Sequence, residues 1–217
     1  MTVQLRIYVP PHPLIKHWLT VARDVNTPSS LFRVAMTELG RWLAYEAVRD
    51  WLPTVETTVE TPLAATAAVV VNPNIPVVIV PILRAGLALL EGAQGVLPTA
   101  TTYHLGIVRD EHTLAPSCYL NKFPERFEPD TRVLISEPML ATGGSIMTAM
   151  VELTERGVDP ALVRIISVVT APPALQKLSA HFPAVQIYAA TIDEGLDERG
   201  FIVPGLGDAG DRAFGTA

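Results

Sequence analysis

A buried strand that leads through a glycine-rich loop into a helix constrains the fold of this chain more than any other feature. The apolar run Arg132–Ser136 is typical of a strand that is covered on both faces. An apolar repeat of helical period then extends from Ser145 to Arg156. A strand, a loop and a helix in this order predict a βα unit of an α/β fold.

The loop between this strand and this helix has the composition of a phosphate-binding site. Glycines let a ligand approach the main chain, hydroxyl groups donate hydrogen bonds, and amides at a helix N-terminus favour an anion. Glu137 would repel a phosphate, so it suits the hydroxyl groups of an attached sugar, directly or through a metal. A sugar phosphate is the implied ligand, although turn and capping preferences alone also explain such a loop. The loop residues assigned to the ligand are Glu137, Pro138, Met139, Leu140, Ala141, Thr142, Gly143, Gly144 and Ser145.

Strands and helices alternate from Val77 onward, which predicts an α/β fold with a mainly parallel central sheet flanked by helices. In such a sheet, ligands bind outside the carboxyl ends of the strands, so the residues that follow the strands share one rim. The other expected strands are Val77–Leu83, Thr101–Val108, Val163–Thr170 and Gln186–Thr191.

Two arginines follow strands of this predicted sheet. Arg84 comes directly after Val77–Leu83, and Arg109 comes directly after Thr101–Val108. A guanidinium group can bind phosphate oxygens bidentately, and two such groups on one rim suit a diphosphate. The alternative role for Arg84 is a cap or an ion pair at the surface.

Three segments lie outside the alternating core, and together with it they are expected to form a single domain over residues 1–217. The N-terminal segment, 1–52, is predicted to be extended at first and then helical, with an apolar repeat of period 3.6 from Leu31 to Ala47. Val55–Thr61 alternates β-branched and charged residues, which predicts an exposed β-arm. The C-terminal segment, 192–217, follows neither period and is expected to be a long loop.

Glycines give this C-terminal loop an open main chain. Gly205, Gly207 and Gly210 match the spacing of a dinucleotide fingerprint, but no strand-to-helix turn is expected there, which argues against that use. Exposed N–H and C=O groups can instead approach a flat heterocycle closely and match the hydrogen-bonding groups along its edge. The segment is therefore predicted to form a hood that binds a base.

Composition limits the partners that this chain can have. A net charge of −6 and a pI of about 5.3 disfavour nucleic acid and membrane surfaces, which need a basic face. Hydrophobic residues make up 49% of the chain and charged residues 18%, which favours a homo-oligomer. Cys118 is the only cysteine, so no intramolecular disulfide can form. Neither a secretion signal nor a membrane span is recognisable, and a cytoplasmic protein is expected.

Three blocks of the sequence resemble a known family. Glu137–Ser145 is similar to the phosphoribosyl pyrophosphate (PRPP) loop of the type I phosphoribosyltransferases. The blocks Pro81–Gly86, Pro138–Ser145 and Pro204–Thr216 resemble the uracil phosphoribosyltransferase family in particular, and the resemblance covers nearly the whole chain. It implies the type I phosphoribosyltransferase fold and the conversion of uracil and PRPP to UMP and diphosphate.

The resemblance also implies roles for single residues. Arg84, Arg109, Glu137 and Asp208 would be the catalytic residues, and all four would contact PRPP together with the loop. Mg²⁺ is expected to accompany PRPP near Asp208, without direct ligation by a side chain, and GTP is a candidate effector, as in some relatives. The residues that would bind uracil are Ile202, Gly207, Asp208 and Ala209.

The family also has a flexible arm, which Pro116–Pro129 resembles through Tyr119 and Lys122. This segment is the candidate lid over PRPP. Two residues depart from the family pattern, since Glu137 replaces its usual Asp and Val108 stands where an aromatic residue is expected. The alternative function is that of a PRPP-binding regulator that responds to pyrimidines and has little or no transferase activity.

Overall fold

Helices and strands fill most of residues 4–109 and 116–216, the part of the chain that this computed structural model describes. The strands are β1 (Arg6–Tyr8), β2 (Thr54–Glu60), β3 (Ala65–Val71), β4 (Val77–Leu83), β5 (Thr101–Thr102), β6 (Leu105–Arg109), β7 (Pro116–Asn121), β8 (Arg132–Ser136), β9 (Met139–Leu140), β10 (Val163–Thr170), β11 (Gln186–Ile192), β12 (Gly195–Leu196) and β13 (Ile202–Val203). The helices are α1 (Pro13–Arg23), α2 (Ser29–Val48), α3 (Leu87–Val96), α4 (Gly144–Glu155), α5 (Pro172–His181) and α6 (Ala209–Phe214). None of these helices has the length and apolar character needed to cross a membrane.

A mainly parallel sheet runs through the centre of the molecule in the strand order β1-β11-β10-β8-β4-β6-β7. Among its described strands, β7 alone is antiparallel to its neighbour, while β5 and β9 add short parallel pairings to β4 and β10. The register aligns Val80, Ile135, Ile165 and Ile187 in one row across four strands. The carboxyl ends of these strands therefore lie along one edge, and the predicted fold class is confirmed.

Successive residues of the central strands pack into two different hydrophobic clusters. Ile79 and Leu134 belong to the cluster that includes α2 and α3, whereas Val80 and Ile135 belong to the cluster that includes α4 and α5. All four side chains are fully buried. Because helices cover both faces of the sheet, the central strands are continuously apolar, which is the pattern from which the sequence analysis predicted them.

The N-terminal segment contains two elements that the sequence analysis did not assign. β1 extends the sheet next to β11, with Arg6 opposite Gln186. α1 begins after His12, whose Nδ1 accepts a hydrogen bond from the Leu14 amide at 3.2 Å, and Pro13 occupies the first helical position, where no N–H is needed. A strand of three residues is too short to show a period of two, so β1 left no recognisable signal.

The strand predicted over Thr101–Val108 is interrupted. β5 ends at Thr102, and the Tyr103 amide donates a hydrogen bond to the carbonyl of Ile79 at 3.0 Å before β6 begins at Leu105. β6 pairs with the end of β4, with Leu83 opposite Gly106, and continues past it. The backbone of Arg109 therefore lies beyond the carboxyl end of β4, while its side chain lies outside the described part of the chain.

The candidate lid, Pro116–Pro129, is a strand over its first six residues. β7 pairs with β6 from Arg109 opposite Pro116 to Leu105 opposite Asn121 and forms the edge of the sheet. An edge strand with mostly exposed residues lacks the alternation that identifies a half-buried strand, so the sequence indicated a loop. The preceding residues 110–115 lie outside the described residues. Closure over a ligand stays a prediction.

The C-terminal segment is not a long loop. β12 and β13 form a small antiparallel pair, and the six-residue helix α6 follows Asp208. Ile202, Leu206, Ala209 and Ala213 are buried in the cluster that includes α1 and α2. Strands of two residues and a helix of six are too short to produce a period, and the burial of these four side chains orders them instead.

The predicted exposed arm is the antiparallel hairpin of β2 and β3, which pairs from Thr54 opposite Val71 to Glu60 opposite Ala65. Every residue of β2 is exposed, and β3 has one partly buried residue. A two-stranded hairpin that buries so little surface is marginally stable by itself.

Glycines allow the backbones of α2 and α3 to touch where the two helices cross. A Cβ atom added to Gly40 would overlap the backbone of Leu89, and one added to Gly92 would overlap the carbonyl oxygen of Thr37. α3 starts immediately after the turn that carries Arg84, so this crossing helps to hold one side of the rim.

We expect Gly92→Ala to lower the free energy of unfolding by about 2 kcal/mol, because the added methyl group forces the two helices apart. Gly95→Ala on the same helix is the control, since its methyl group would meet only the flexible end of Arg41. The control should be neutral or gain about 0.5 kcal/mol from helix propensity. Urea unfolding of both variants measures the difference, and equal values would contradict the close crossing.

Candidate functional site

One open cleft at the carboxyl edge of the sheet collects most of the residues that the sequence analysis assigned to a site. Its cavity volume is about 240 Å³, and the cleft opens to solvent, so a ligand can extend beyond it. The assigned residues that line it are Arg84, Glu137, Met139, Leu140, Ala141, Thr142, Gly143, Gly144, Ser145, Ile202, Gly207 and Asp208. Arg84 and Glu137 lie on the same rim, as their positions after two neighbouring parallel strands predicted.

The loop before α4 forms the floor of a site suited to an anion. Gly143 has φ 83°, a left-handed conformation that a side chain strains, and a Cβ there would lie 3.1 Å from Cα of Ala174. α4 then begins at Gly144 without a side-chain cap, so the first amides of this helix have no partner within it. Gly144 and Ser145 line the cleft, and their amides together with the helix dipole favour a phosphate group.

Glu137 is a buried acid within this cleft, with 8% of its surface exposed. Burial raises the pKa of its carboxyl group from the ordinary value of 4.5 to about 8. The Met139 amide opposes this effect by bonding to the charged form, whereas the nearby negative charge of Asp208 adds to it. At neutral pH the carboxyl group is therefore mainly protonated, and it can both donate a hydrogen bond to a sugar hydroxyl group and accept one from it.

Arg84 lines the cleft and is also bound to the C-terminal helix. Its Nη2 donates to Oδ1 of Asp211 at 2.9 Å, and its Nη1 donates to Oγ1 of Thr216 at 3.2 Å. The side chain nevertheless keeps 55% of its surface exposed. The surface ion pair that the sequence left open as an alternative thus exists, and it coexists with a position on the cleft.

The C-terminal segment also lines the cleft, through residues that include Ile202, Gly207 and Asp208. Gly205 and Gly207 have φ values of 58° and 76°, which favour glycine, and a Cβ at Gly205 would overlap the Ile202 carbonyl. Phe201 also lines the cleft and was not assigned by the sequence analysis. A single aromatic residue in a stretch rich in glycine is the signal that could have identified it, because aromatic rings stack on flat bases.

Buried and partly buried ionic contacts fasten this segment to the N-terminal helices. Asp193 accepts a hydrogen bond from the Gly205 amide at 2.9 Å and forms an ion pair with Arg23. Arg212 donates to the Leu206 carbonyl at 2.7 Å and to carbonyls at the end of α1, and its guanidinium group lies 4.2 Å from the ring centre of Phe32. The hood is therefore held in place by side chains that do not line the cleft.

Asp208 also has a structural contact. Its Oδ1 accepts a hydrogen bond from the Asp211 amide at 2.9 Å and thereby caps α6. One carboxylate oxygen of Asp208 stays available to the cleft that this residue lines. Within residues 4–109 and 116–216, no three His, Cys, Asp or Glu side chains are grouped so that they could hold a metal by themselves.

Among the assigned residues whose side chains are described, Pro138 and Ala209 do not line the cleft. Pro138 turns the chain between β8 and β9, and its carbonyl accepts hydrogen bonds from the amides of Val168 and Val169. Ala209 is fully buried beneath the hood. The side chain of Arg109 lies outside the described residues, so its predicted contact with a diphosphate stays a prediction.

Comparisons with known proteins agree with this geometry. The family model described as uracil phosphoribosyltransferase matches residues 9–216. A relative from Nostoc sp., named uracil phosphoribosyltransferase, is 73% identical over all of both chains. A chloroplastic uracil phosphoribosyltransferase from Arabidopsis thaliana is 52% identical over 98% of this chain and 72% of that protein. A solved structure of an Aquifex aeolicus protein superposes with a TM-score of 0.89 at 38% identity, covering 97% of this chain and 99% of the other.

The raised pKa of Glu137 predicts a pH-dependent cost of folding. The folded protein holds this proton up to about pH 8, whereas an unfolded glutamate loses it near pH 4.5. The contribution of Glu137 to the free energy of unfolding is therefore complete below pH 4.5 and is lost as the pH rises through 8. We expect the free energy of unfolding of Glu137→Gln, relative to that of the original protein, to increase by roughly 2 kcal/mol when the pH is raised from 5 to 8. Urea unfolding at the two pH values measures this gain. Glu155→Gln, at an exposed position on α4, should show none.

Proposed function

The chain belongs to the uracil phosphoribosyltransferase family, and from this premise we propose that it transfers the 5-phosphoribosyl group of PRPP to uracil. The products are UMP and diphosphate, which makes the protein an enzyme of pyrimidine salvage. The observation that carries the proposal is one cleft that combines a phosphate-type loop, a buried acid, an arginine and a glycine-rich hood.

The loop and the rim are suited to the parts of PRPP. The amides at the start of α4, with the hydroxyl groups of Thr142 and Ser145, would bind the 5-phosphate. Glu137 would hold the ribose hydroxyl groups, as donor when protonated and as acceptor when ionised. Arg84 would bind the diphosphate, with Arg109 as the predicted second guanidinium group.

The hood would select the base. Uracil presents an acceptor, a donor and a second acceptor along one edge, and the open main chain at Ile202 and Gly207 offers groups of the complementary kinds. Cytosine would place an amino group against a backbone donor and leave both unpaired, which is costly in a partly buried site. The ring of Phe201 would pack against the face of the base.

Transfer breaks the bond between C1′ and the diphosphate oxygen and forms a bond from C1′ to N1 of uracil, which loses its proton. Positive charge resembling an oxocarbenium ion develops on the ribose as the negative diphosphate departs. The chain needs no side-chain nucleophile for this step. Positioning of both substrates, and stabilisation of the diphosphate by arginine and by backbone amides, would supply the rate enhancement.

Mg²⁺ fits the acids of this cleft. Glu137 and Asp208 both line it and are close enough for the charge of one to raise the pKa of the other. Mg²⁺ is commonly bound by one or two carboxylates together with substrate phosphates, and a magnesium ion carried by PRPP would favour the ionised form of Glu137. When bound, the ion would neutralise part of the diphosphate charge.

The alternative, a regulator that binds PRPP and RNA with little transferase activity, gains no support from the family model or from the relatives named above. The net charge of −6 counts against RNA, because non-specific RNA binding depends on basic residues. GTP as an effector and the cytoplasm as the compartment stay predictions.

A homo-oligomer is also part of the proposal, and the exposed hairpin supports it. Val55, Val59, Leu63, Val69 and Val71 are exposed on this arm by 36% to 96% of their surface. Apolar side chains grouped on one projecting element commonly mark a protein interface. A second copy of the chain is the partner that we propose for them.

The transfer reaction is tested by mixing the protein with uracil, PRPP and Mg²⁺ and measuring UMP and diphosphate. We expect stoichiometric formation of both products, and at least about a hundredfold preference for uracil over cytosine, since the mismatched edge leaves buried groups unpaired. Chelation of Mg²⁺ should abolish turnover, and addition of GTP tests the effector. PRPP binding without any UMP would contradict the transferase and favour the regulator.

The oligomer is tested by light scattering. The mass of the original protein should be at least twice the 23.4 kDa of one chain. Val69→Glu combined with Val71→Glu should reduce it to about one chain, because buried charges at an interface are costly. Val25→Glu, at a position with 87% exposure away from the arm, is the control and should leave the mass unchanged. An unchanged mass in the double variant would contradict the arm as the interface.

A further inference from the structure

Two residues near the C-terminus form hydrogen bonds with the guanidinium group of Arg84. Nη2 of Arg84 donates to Asp211, and Nη1 donates to Thr216. Thr216 in turn donates its hydroxyl hydrogen to the same carboxylate oxygen of Asp211 at 2.7 Å. The three side chains therefore form a closed set of hydrogen bonds at the edge of the cleft.

The position of this carboxylate is determined by the backbone around it. Asp211 lies in the first turn of α6, and its amide is bound by the capping carboxylate of Asp208. A Cβ atom at Gly210 would lie 3.2 Å from Oδ1 of Asp208 and 4.0 Å from Nη2 of Arg84, so the start of α6 rests against the Arg84 turn. The hydrogen bond from Thr216 and the contact with Arg84 lower the pKa of Asp211, which stays ionised at neutral pH.

A guanidinium group has five N–H donors in one plane, and these two contacts use two of them. Within residues 4–109 and 116–216 the remaining donors have no recorded partner, so they could bind a phosphate bidentately, and the side chain is 55% exposed on the cleft. A long, exposed arginine otherwise samples many rotamers, and holding it in one of them is costly at the moment of binding. A carboxylate that already restricts these rotamers removes this entropic cost from the binding step, and so increases affinity without touching the ligand.

We propose that Asp211, with Thr216, is a positioning residue that holds Arg84 ready for the diphosphate of PRPP and links this arginine to the helix that follows the uracil hood. The inference rests on the proposed transfer reaction. It assigns a function to the last helix that is separate from binding the base, because Asp211 acts through Arg84 and does not line the cleft.

The decisive variant is Asp211→Asn, which keeps the size of the side chain and the backbone cap but removes the charge. We expect the KM for PRPP to rise roughly three- to tenfold, while the KM for uracil changes less than twofold. Thr216→Val should change the KM for PRPP in the same direction by a smaller factor. Glu46→Gln breaks a comparable arginine pair on α2, with 2.7 Å between Arg49 and Glu46, and should leave both constants unchanged.

Binding measurements separate positioning from mere folding of the tail. The dissociation constant of Mg²⁺–PRPP is measured by calorimetry for Asp211→Asn, for Arg84→Gln and for the double variant. We expect Asp211→Asn to weaken binding in the original protein and to have no further effect once Arg84 is replaced, because its role passes through that side chain. Equal weakening in both backgrounds would overturn the proposal and indicate a structural role.

Other outcomes would contradict either the positioning role or the transfer reaction. If Asp211→Asn tightened PRPP binding, the carboxylate would be a competitor of the diphosphate, and the positioning role would be wrong. A parallel rise in the KM for uracil would show that the variant loosens the hood as a whole, and would equally overturn it. Failure of the original protein to form UMP would contradict the transfer reaction, whereas an active original protein with an unaffected Asp211→Asn variant would contradict this inference alone.

Discussion

The parallel pairing of β4 with β8 is the constraint on which the site depends. Pro81 lies opposite Ser136, so the two strands end side by side and release Arg84 and Glu137 at the same edge of the sheet. The hydroxyl group of Ser136 donates to the carbonyl of Gly86 at 3.1 Å, in a buried contact that ties the two strand ends together. Any Cβ at Gly86 would overlap the backbone of Ser136 and Ile82. A shift of one residue in this pairing would separate the acid from the arginine.

Burial then determines the protonation state of Glu137. A glutamate at an exposed strand end would be ionised at neutral pH, but desolvation within the cleft and the charge of Asp208 keep the proton on Glu137 up to about pH 8. The amides of α4 face the same space with the opposite electrostatic preference. One cleft thus offers a protonatable acid to hydroxyl groups and a cluster of donors to phosphates. This division matches a ligand that has a sugar between two anionic groups.

The C-terminal segment connects the two halves of the site. Its hairpin and glycines line the cleft where a base would bind, and its last helix contacts Arg84 on the rim that this arginine shares with Glu137. Asp193 and Arg212 fasten this segment to α1 and α2. The N-terminal helices are therefore part of the scaffold of the site, although none of their residues lines it.

Strands with a strong local hydrophobic pattern were predicted accurately from the sequence, and strands without one were missed. β4, β8 and β10 were predicted within a residue of their observed ends, because helices bury both faces and leave an uninterrupted apolar run. β1 and β13 gave no comparable signal, since two or three residues define no period. Among the site residues, Arg84 and Glu137 were identified from their places after strands. Asp211 was not, because its contact with Arg84 joins residues 127 positions apart.

By itself, the sequence determined the fold class, the alternation of strands and helices from Val77 onward, the phosphate-type loop and the family, because each of these depends on neighbouring residues and their spacing. Only the tertiary structure decided which side chains meet. In the folded chain the C-terminal segment, which shows no period in the sequence, forms a hairpin and a helix. Burial raises the pKa of Glu137, and Arg84 pairs with Asp211. Burial and contacts between distant segments arise from packing, and no local pattern specifies them.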